Sequence, residues 1–433
     1  MYDLNMLHLK KIATLLLGFF LFLPLALGAQ TEEGADSCIV QVLRQKGIRF
    51  SHDNSVTLLM SGQEKFDDLF KAVEQAKSSI HMEYFNFRND SINRELTRRL
   101  AEKAAEGVEV RCLFDGFGNA SNNQPMRKED ITAMRRMGIQ IYEYKPMRFP
   151  WIHDIFNRDH RKIVVIDGRV AYTGGMNVAD YYIKGTREVG SWHDMHCRIE
   201  GSEVNTLQWI FTRMWKRVTG EELHGPKYYS GSTNTAYFKG LKPDTTATAG
   251  HKMVGIINRE PHRTQDIIRT FYVRAIDCAH DSIKIINPYF TLSHKLLKAL
   301  KKAVRRGVKV DIMLSVRGDV PFTPDVGFHN AHKLMKEGCH IWLFKPGFHH
   351  TKIITVDGKF CTVGSANLDG RSLRWDYECN AVIVDGPTTA QLDRYFAINQ
   401  RDCFLLTPEE WKKFRSPWQK FKGTIGSLIR NLL

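Results

Sequence analysis

"HRKIVVID" at 160–167 and "HTKIITVD" at 350–357 are two spellings of one eight-residue phrase, with His, Lys and Asp at the same offsets inside an aliphatic run. Strand alternation places His160 and Lys162 on one face with Val164 and Ile166, at the strand's starting end. Each phrase runs into Asp-Gly, at 167–168 and 357–358, the dipeptide of a type I′ turn whose central residues both need positive φ. Each is therefore expected to be the first arm of a hairpin. With a two-residue loop, opposed residues sum to 335 in the first hairpin and 715 in the second, so His160 faces Gly175 and His350 faces Ser365. Two residues further along that face stand Asn177 and Asn367, each seventeen residues after its histidine.

Twice, then, an imidazole, an ammonium and a carboxamide gather beside small residues, in "TGGMN" (173–177) and "VGSAN" (363–367). Such a set cradles an anion of phosphate size: Lys162 and Lys352 supply charge, Asn177 and Asn367 N–H donors, and Gly175 or Ser365 room and further donors. Asp167 and Asp357 complete the motif and are counted with its catalytic set. Their opposite strand parity assigns them to the turn and to structural pairing rather than to attack on substrate. A lone HxKxxxxD pattern is weak evidence, since a lone histidine in an aliphatic strand is more often a hydrogen-bonded core residue than a catalyst. Two copies with a turn and an equidistant asparagine are much stronger.

The duplication extends outward. "AAEGVEVRCLFD" (104–115) resembles "VRRGVKVDIMLS" (304–315), and "MRRMGIQIYEYKP" (134–146) resembles "LMKEGCHIWLFKP" (334–346), each pair 200 residues apart. "AKSSIHMEYF" (76–85) matches "AHDSIKIINPYF" (279–290). The order within each unit, β-rich run, helix, glycine, β-rich run, reads as a βαβ crossover. Leu296, Leu297, Leu300 and Val304 recur at helical spacing, with Lys295, Lys298, Lys301, Lys302, Arg305 and Arg306 on the solvated face. The Ser/Thr/Gly-rich stretch 226–250 lacks an apolar period and reads as a linker. The expected fold class is α/β: two duplicated units, 50–225 and 251–408, each a mixed sheet flanked by helices, sharing one active site at their interface.

With 433 residues and a formal net charge of +15, the chain is long enough for two packed units and attracts polyanions or anionic membranes. Lys10 and Lys11 precede eighteen uncharged residues, "IATLLLGFFLFLPLALGA", so residues 1–29 read as a signal peptide or a membrane anchor. Either way the remainder is expected on the non-cytoplasmic side of a membrane. The eight cysteines show neither CxxC spacing nor disulfide-scaffold density and read as mostly core residues. An exported location would permit disulfides, but no pairing follows from the sequence.

Two imidazoles suit phosphodiester chemistry. One attacks phosphorus to give a phosphohistidine, while the other, protonated, gives its proton to the leaving oxygen and then acts as base for the incoming alcohol or water. The lysines and asparagines hold the charge that builds on the equatorial oxygens, so no metal is required. His193 and His196 in "WHDMH", and His349, lack an accompanying ligand set of recognisable spacing. An attacking imidazole needs its far nitrogen oriented by an acceptor; Asp194 and Glu378 are candidates, with a surface ion pair the competing explanation for each.

On these residues the chain resembles the phospholipase D superfamily, whose members carry two HxKxxxxD motifs and often GG or GS followed by Asn. "NRDHRKIVVIDGRVAYTGGMNVADYY", "WHDMHCRIEGSEVNTLQWIF" and "HHTKIITVDGKFCTVGSANLDGRSLRWDYECN" are closest to patterns of bacterial cardiolipin synthases, from about residue 56 onward. The resemblance implies a two-lobed fold with one site and phosphatidyl transfer, two phosphatidylglycerols giving cardiolipin and glycerol. By motif position it makes His160 the nucleophile and His350 the acid/base. It places Lys162, Asn177, Lys352, Ser365 and Asn367 on the phosphate, and Asp194 and Glu378 behind the histidines. Such synthases commonly begin with two membrane spans and often carry Asn-x-Glu; here there is one apolar segment, and Asp376-Tyr377-Glu378.

The C-terminal 409–433 spaces Trp411, Phe414, Trp418 and Phe421 near a helical period among lysines, with Pro417 dividing it, and reads as an interfacial basic segment or a helix docked on the body. "MRFPWIHDIF" (147–156), present only in the first unit, is apolar enough for an acyl-chain lip. Expected partners are anionic phospholipids, phosphatidylglycerol above all, at the membrane of a bacterial cell envelope. The alternatives are a phospholipase D hydrolase, with water as acceptor, and a superfamily nuclease; the apolar termini argue against nucleic acid.

Overall fold

The computed structural model describes residues 33–150, 155–229, 250–320 and 323–428. The 1–29 segment, most of the 226–250 linker, the tip of the 147–156 lip and the last five residues lie outside them. Among the described residues no helix is long and apolar enough to cross a membrane.

Both units contribute to one mixed sheet of fifteen strands. From one edge it runs 140–144, 109–115, 79–84, 163–166, 170–174, 196–200 and 51–59. From the other, after the added edge strand 403–405, it runs 340–344, 309–315, 282–286, 353–356, 360–364, 378–384 and 252–259. The two series have the same order and meet where 51–59 pairs antiparallel with 252–259. The expected pair of sheets is thus a single sheet with approximate two-fold symmetry. In each half the crossovers join parallel strands, 79–84 to 109–115 to 140–144 and 282–286 to 309–315 to 340–344.

Helices cover both faces, and the alternation of the doubled phrase decides which layer each residue enters. Val164 and Ile166 pack with Phe66, Leu69, Val73, Leu96 and Leu100 of helices Gly62–Gln75 and Ser91–Ala105. Ile163 and Val165 instead join a core common to both units, with Leu207 and Ile210 of helix Glu203–Thr219 and Leu392 and Phe396 of helix Gly386–Gln400. In helix His294–Arg305 the leucines 296, 297 and 300 are buried, and Lys301 and Arg305 on the outer face pair with Glu337. The helix Glu33–Gln45 precedes the first unit in sequence but packs on the second through Ile39, Val40 and Leu43, and Cys38 forms a disulfide with Cys278. Five of the remaining cysteines are buried and Cys403 is partly buried.

The hairpin turns have the expected chemistry and a shifted register. Asp167 and Gly168 have φ of 54° and 64°, and Asp357 and Gly358 of 53° and 65°. However, Ile166 opposes Val170 and Ile163 opposes Thr173, while Val356 opposes Phe360 and Ile353 opposes Val363, so paired numbers sum to 336 and 716. One extra residue, Arg169 or Lys359, stands between turn and ladder, its N–H closing the turn onto Ile166 or Val356. His160 therefore does not oppose Gly175, nor His350 Ser365; regular pairing ends before either histidine.

Asp167 and Asp357 lie at the turn end of these strands, away from the histidines. Asp167 accepts N–H bonds from Lys77, Ser78 and Ser79, and Asp357 from His280, Asp281 and Ser282. Each carboxylate thus caps the start of the neighbouring parallel strand, and its place in the catalytic set is corrected to a structural one. Asp357→Asn, which sets an amide against three N–H donors, is expected to cost about 1–3 kcal/mol of stability. Denaturant unfolding measures that loss; turnover per folded molecule should stay within about twofold, and a fall beyond tenfold in well-folded protein would return Asp357 to the chemistry.

Candidate active site

Two short backbone exchanges between the units build the site. Strand Gly347–His349 of the second unit pairs parallel with Ser191–His193 of the first, and His350 N–H donates to His193 O at 2.6 Å. In the reciprocal place Asp159 bridges Tyr377, His160 N–H donates to Tyr377 O at 3.1 Å and Tyr377 N–H to Arg158 O at 2.8 Å. Each histidine is therefore carried to the residue that follows its backbone partner, a carboxylate of the other unit. His160 Nδ1 lies 3.0 Å from Glu378 Oε1, and His350 Nδ1 2.7 Å from Asp194 Oδ2. A carboxylate only accepts, so Nδ1 carries the proton in both rings and Nε2 is the nitrogen left for chemistry.

Both rings line one cavity of about 510 Å³. Its walls include Phe85, Asn86, Asn177, Tyr181, Trp192, Tyr289 and Asn367. Phe85 meets His160 edge-on with centroids 5.0 Å apart, and Trp192 stands 5.4 Å from the ring of His350.

The lysines are buried beside the histidines, and neither is among the residues that line the cavity. Lys162 Nζ donates to His160 O at 2.6 Å, and Lys352 Nζ to His350 O at 2.5 Å while lying 2.9 and 3.3 Å from the two nitrogens of His350. Burial pulls Lys162 down to about 7 against the opposing pull of Glu378, and lowers Lys352 similarly. Burial, then the neighbouring lysine, lowers both histidines, His350 to about 4. Burial alone would raise Glu378, but His160, Lys162 and Ser365 outweigh it and hold the carboxylate at about 2; Lys352 and His350 likewise keep Asp194 ionised.

The asparagines lie where the sequence places them, although by the loop after the strand rather than by hairpin register. Asn177 lines the cavity, accepting from Asn86 N–H at 3.4 Å and donating to Tyr182 Oη at 3.3 Å. Asn367 lines it too, its buried Oδ1 without a hydrogen bond among the described residues. Ser365 differs from expectation: its hydroxyl turns inward, donating to Glu378 Oε2 and accepting Cys379 N–H, so it braces the carboxylate instead of facing the phosphate cradle. In the other half Gly175 has no such role because a Cβ there would stand 2.2 Å from Asp194 Oδ1.

Several residues escaped the sequence reading. Five positions after each asparagine stands a hydroxyl, Tyr182 or Ser372, accepting the asparagine N–H at 2.9 and 3.0 Å. Ser372 Oγ also donates to Glu378 at 2.6 Å. Two positions after each carboxylate stands His196 or Asn380, accepting N–H from Met176 or Ala366 at 3.3 and 3.2 Å. Equal spacing in the two halves was the available signal. It also gives His196 a structural role; among the described residues no group of three or more His, Cys, Asp or Glu is placed to hold a metal ion.

The "Cardiolipin synthase, PLD-like domain" family matches residues 69–215 and 272–399, one match per unit. Cardiolipin synthase 2 of Staphylococcus epidermidis is 33% identical over 397 residues, 91% of this chain and 78% of the relative. Cardiolipin synthase of Listeria monocytogenes is 32% identical over 396 residues, 91% of this chain and 79% of the relative. Among solved structures, the phosphatidylserine synthase of Haemophilus influenzae superposes with a TM-score of 0.67 over 92% of this chain and all of that one, at 16% identity. A polyphosphate kinase of Porphyromonas gingivalis gives 0.52 over 82% of this chain and 49% of its own, at 12% identity. At those identities the superpositions speak for the fold, while the doubled domain match and the full-span relatives fix the family: the chain belongs to the cardiolipin synthases of the phospholipase D-like class.

Proposed function

We propose that the protein is a phosphatidyl transferase that converts two phosphatidylglycerols to cardiolipin and glycerol. The observation that carries this is the meeting of two imidazoles in one cavity, each held by a carboxylate of the opposite unit, within a chain of this family. His160 Nε2 attacks the phosphorus of the donor, the bond to glycerol breaks, and that oxygen takes its proton from His350. His350, now neutral, accepts the proton of the acceptor hydroxyl as its oxygen bonds to phosphorus and the P–N bond to His160 breaks. Lys162, Lys352, Asn177 and Asn367 steady the charge on the non-bridging oxygens.

Purified protein on phosphatidylglycerol vesicles should release cardiolipin and glycerol together, resolved by lipid chromatography. His160→Ala and His350→Ala are each expected to lose about 10²–10⁴-fold or more. Phosphatidic acid as sole product would make the enzyme a hydrolase, and lipid inertness with DNA cleavage a nuclease.

The depressed lysine has a pH consequence. A phosphodiester oxygen beside Lys162 favours its charged form, so above about 7 donor binding must take up a proton. Donor KM should rise more steeply above that pH than below it, Lys162 adding up to about tenfold per unit until the pKa of the bound state is reached. A KM independent of pH from 6 to 9 would exclude this coupling.

The membrane contact we assign to the C-terminus. Helices Pro408–Phe414 and Pro417–Gly426 divide at Pro417; Trp411 and Phe414 pack on the second unit, while Arg415 and Lys422 pair with Asp325. Docked this way, the last helix leaves Trp418, Phe421, Ile425 and Leu428 on one outer stripe, exposed by 64, 54, 46 and 74%. Residues 411–433 carry six basic side chains and no acidic one, which suits an anionic lipid surface. The Cys38–Cys278 disulfide supports a non-cytoplasmic location. With brominated acyl chains in phosphatidylglycerol vesicles, Trp418→Phe should remove a distinctly quenched part of the tryptophan emission; identical quenching of variant and wild type would place this helix away from the bilayer.

A further inference from the structure

The cavity has an electrostatic polarity that the two histidines and their cradle do not use. On the second unit's side it is lined by Asp319, Asp369 and Asp376. The guanidinium on that side, Arg371, is already engaged: Nε with Asp376 at 3.1 Å, Nη2 with Ile155 O at 2.9 Å, and the plane over the ring of Phe117. On the first unit's side the charged side chain of the lining is Arg88. Among the described residues its side chain makes no hydrogen bond, and its buried Nε has only the long ion pair to Asp90. The nearest carboxylate, Asp90, is 3.9 Å away and is occupied by the N–H groups of Asn93 and Asp180. A guanidinium left this way in a substrate cavity has its fork open to an anion.

The position of Arg88 is fixed from two directions. Its backbone runs beside the phosphate cradle: Asn86 N–H donates to Asn177 Oδ1, Phe87 bridges Val178, and Arg88 N–H donates to Val178 O at 2.9 Å. Its guanidinium lies over Tyr181, 5.3 Å from the centroid; the tilted rings of Tyr181 and Trp192 have centroids 4.5 Å apart, and those of Trp192 and His350 5.4 Å. An unbroken aromatic wall thus leads from the open guanidinium to the imidazole that activates the incoming alcohol.

We propose that Arg88 binds the phosphate of the acceptor lipid, so that the acceptor subsite selects an alcohol that is itself an anionic phosphodiester. This rests on the phosphatidyl-transfer reading and adds to it the means by which a second phosphatidylglycerol is preferred over water or a neutral alcohol. The acceptor's glycerol reaches along Tyr181 and Trp192 to His350, which takes the hydroxyl proton as the oxygen bonds to phosphorus and His160 departs. Burial pushes Asp369 up to about 7 and raises Asp376, which Arg371 already holds, so the far side offers a second phosphate carboxyl groups and an engaged guanidinium, and this fixes which way round the acceptor lies.

The test separates the two half-reactions. Exchange of labelled glycerol into phosphatidylglycerol needs the donor site and both histidines but no second phosphate; cardiolipin formation needs all of them. In Arg88→Gln the ratio of cardiolipin formation to glycerol exchange should fall at least tenfold, through the acceptor KM, with partial recovery in Arg88→Lys. A ratio unchanged in Arg88→Gln, with both activities measurable, overturns the assignment. Absence of both activities in the wild type would instead remove the transfer reading. Circular dichroism and thermal unfolding of each variant guard against misfolding, and because the readout is a ratio within one preparation, a smaller folded fraction does not mimic the effect.

Discussion

The structure depends on the reciprocal exchange of carboxylates between the two units. Each imidazole is complete only when a carboxylate from the other unit stands behind it, so neither half alone could hold its ring in the right tautomer. Burying these charges is tolerable because every one has a counter-charge or donors within the same cluster. Glu378 has His160, Ser365 and Ser372, and Asp194 has His350, Lys352 and the N–H of Met195. Remove either carboxylate and a lysine and an imidazole remain in a dry site with too little negative charge, which costs far more than the pair contributes.

That constraint explains why the two units share so much. Two separate sheets could not keep each histidine within hydrogen-bond distance of the other unit's carboxylate. Here the ladders meet at strands 51–59 and 252–259, and a common core under helices 203–219 and 386–400 locks the orientation. The short parallel pairing of 191–193 with 347–349, and its counterpart at 159 and 377, then carry the backbone of each motif into the other unit.

Much of this was legible from the doubled phrase. The turn dipeptides, the alternation of Ile163 to Ile166 and the equal histidine-to-asparagine spacing all follow from local stereochemistry, which sequence records directly. What failed was counting across the turn: one unpaired residue, Arg169 or Lys359, moved the register by one in both halves, and equal spacing cannot reveal a shift that both copies share. Ser365 was misplaced for a related reason, because whether a hydroxyl faces a cavity or a carboxylate depends on the approach of strand 378–384. The cross-unit partners, 218 and 156 residues distant in sequence, are properties of docking rather than of any window of sequence. The sequence offered Asp194 and Glu378 as candidate acceptors and the family resemblance placed them behind the histidines; only the fold shows that each serves the opposite histidine.

The asymmetry between halves also has a physical reading. Gly175 is small because Asp194 fills the space its Cβ would take, whereas Ser365 uses its hydroxyl to hold the longer Glu378. Glu378 is thereby fixed from three sides, and burial and Lys162 lower the pKa of His160 in front of it, which suits the nucleophile's part proposed for it. Burial and Lys352 lower His350 to about 4, yet the acid's part proposed for it requires it protonated. The resolution lies in the charge of the substrate. An empty site holds Lys162, Lys352 and two imidazoles together and so disfavours each further proton; a phosphodiester entering among them reverses that sign and raises every basic pKa in the cluster. In the proposed reaction, protonation of His350 is then coupled to arrival of the anion, which would arm the acid when there is a leaving group to protonate and spare the site a buried uncompensated charge before that.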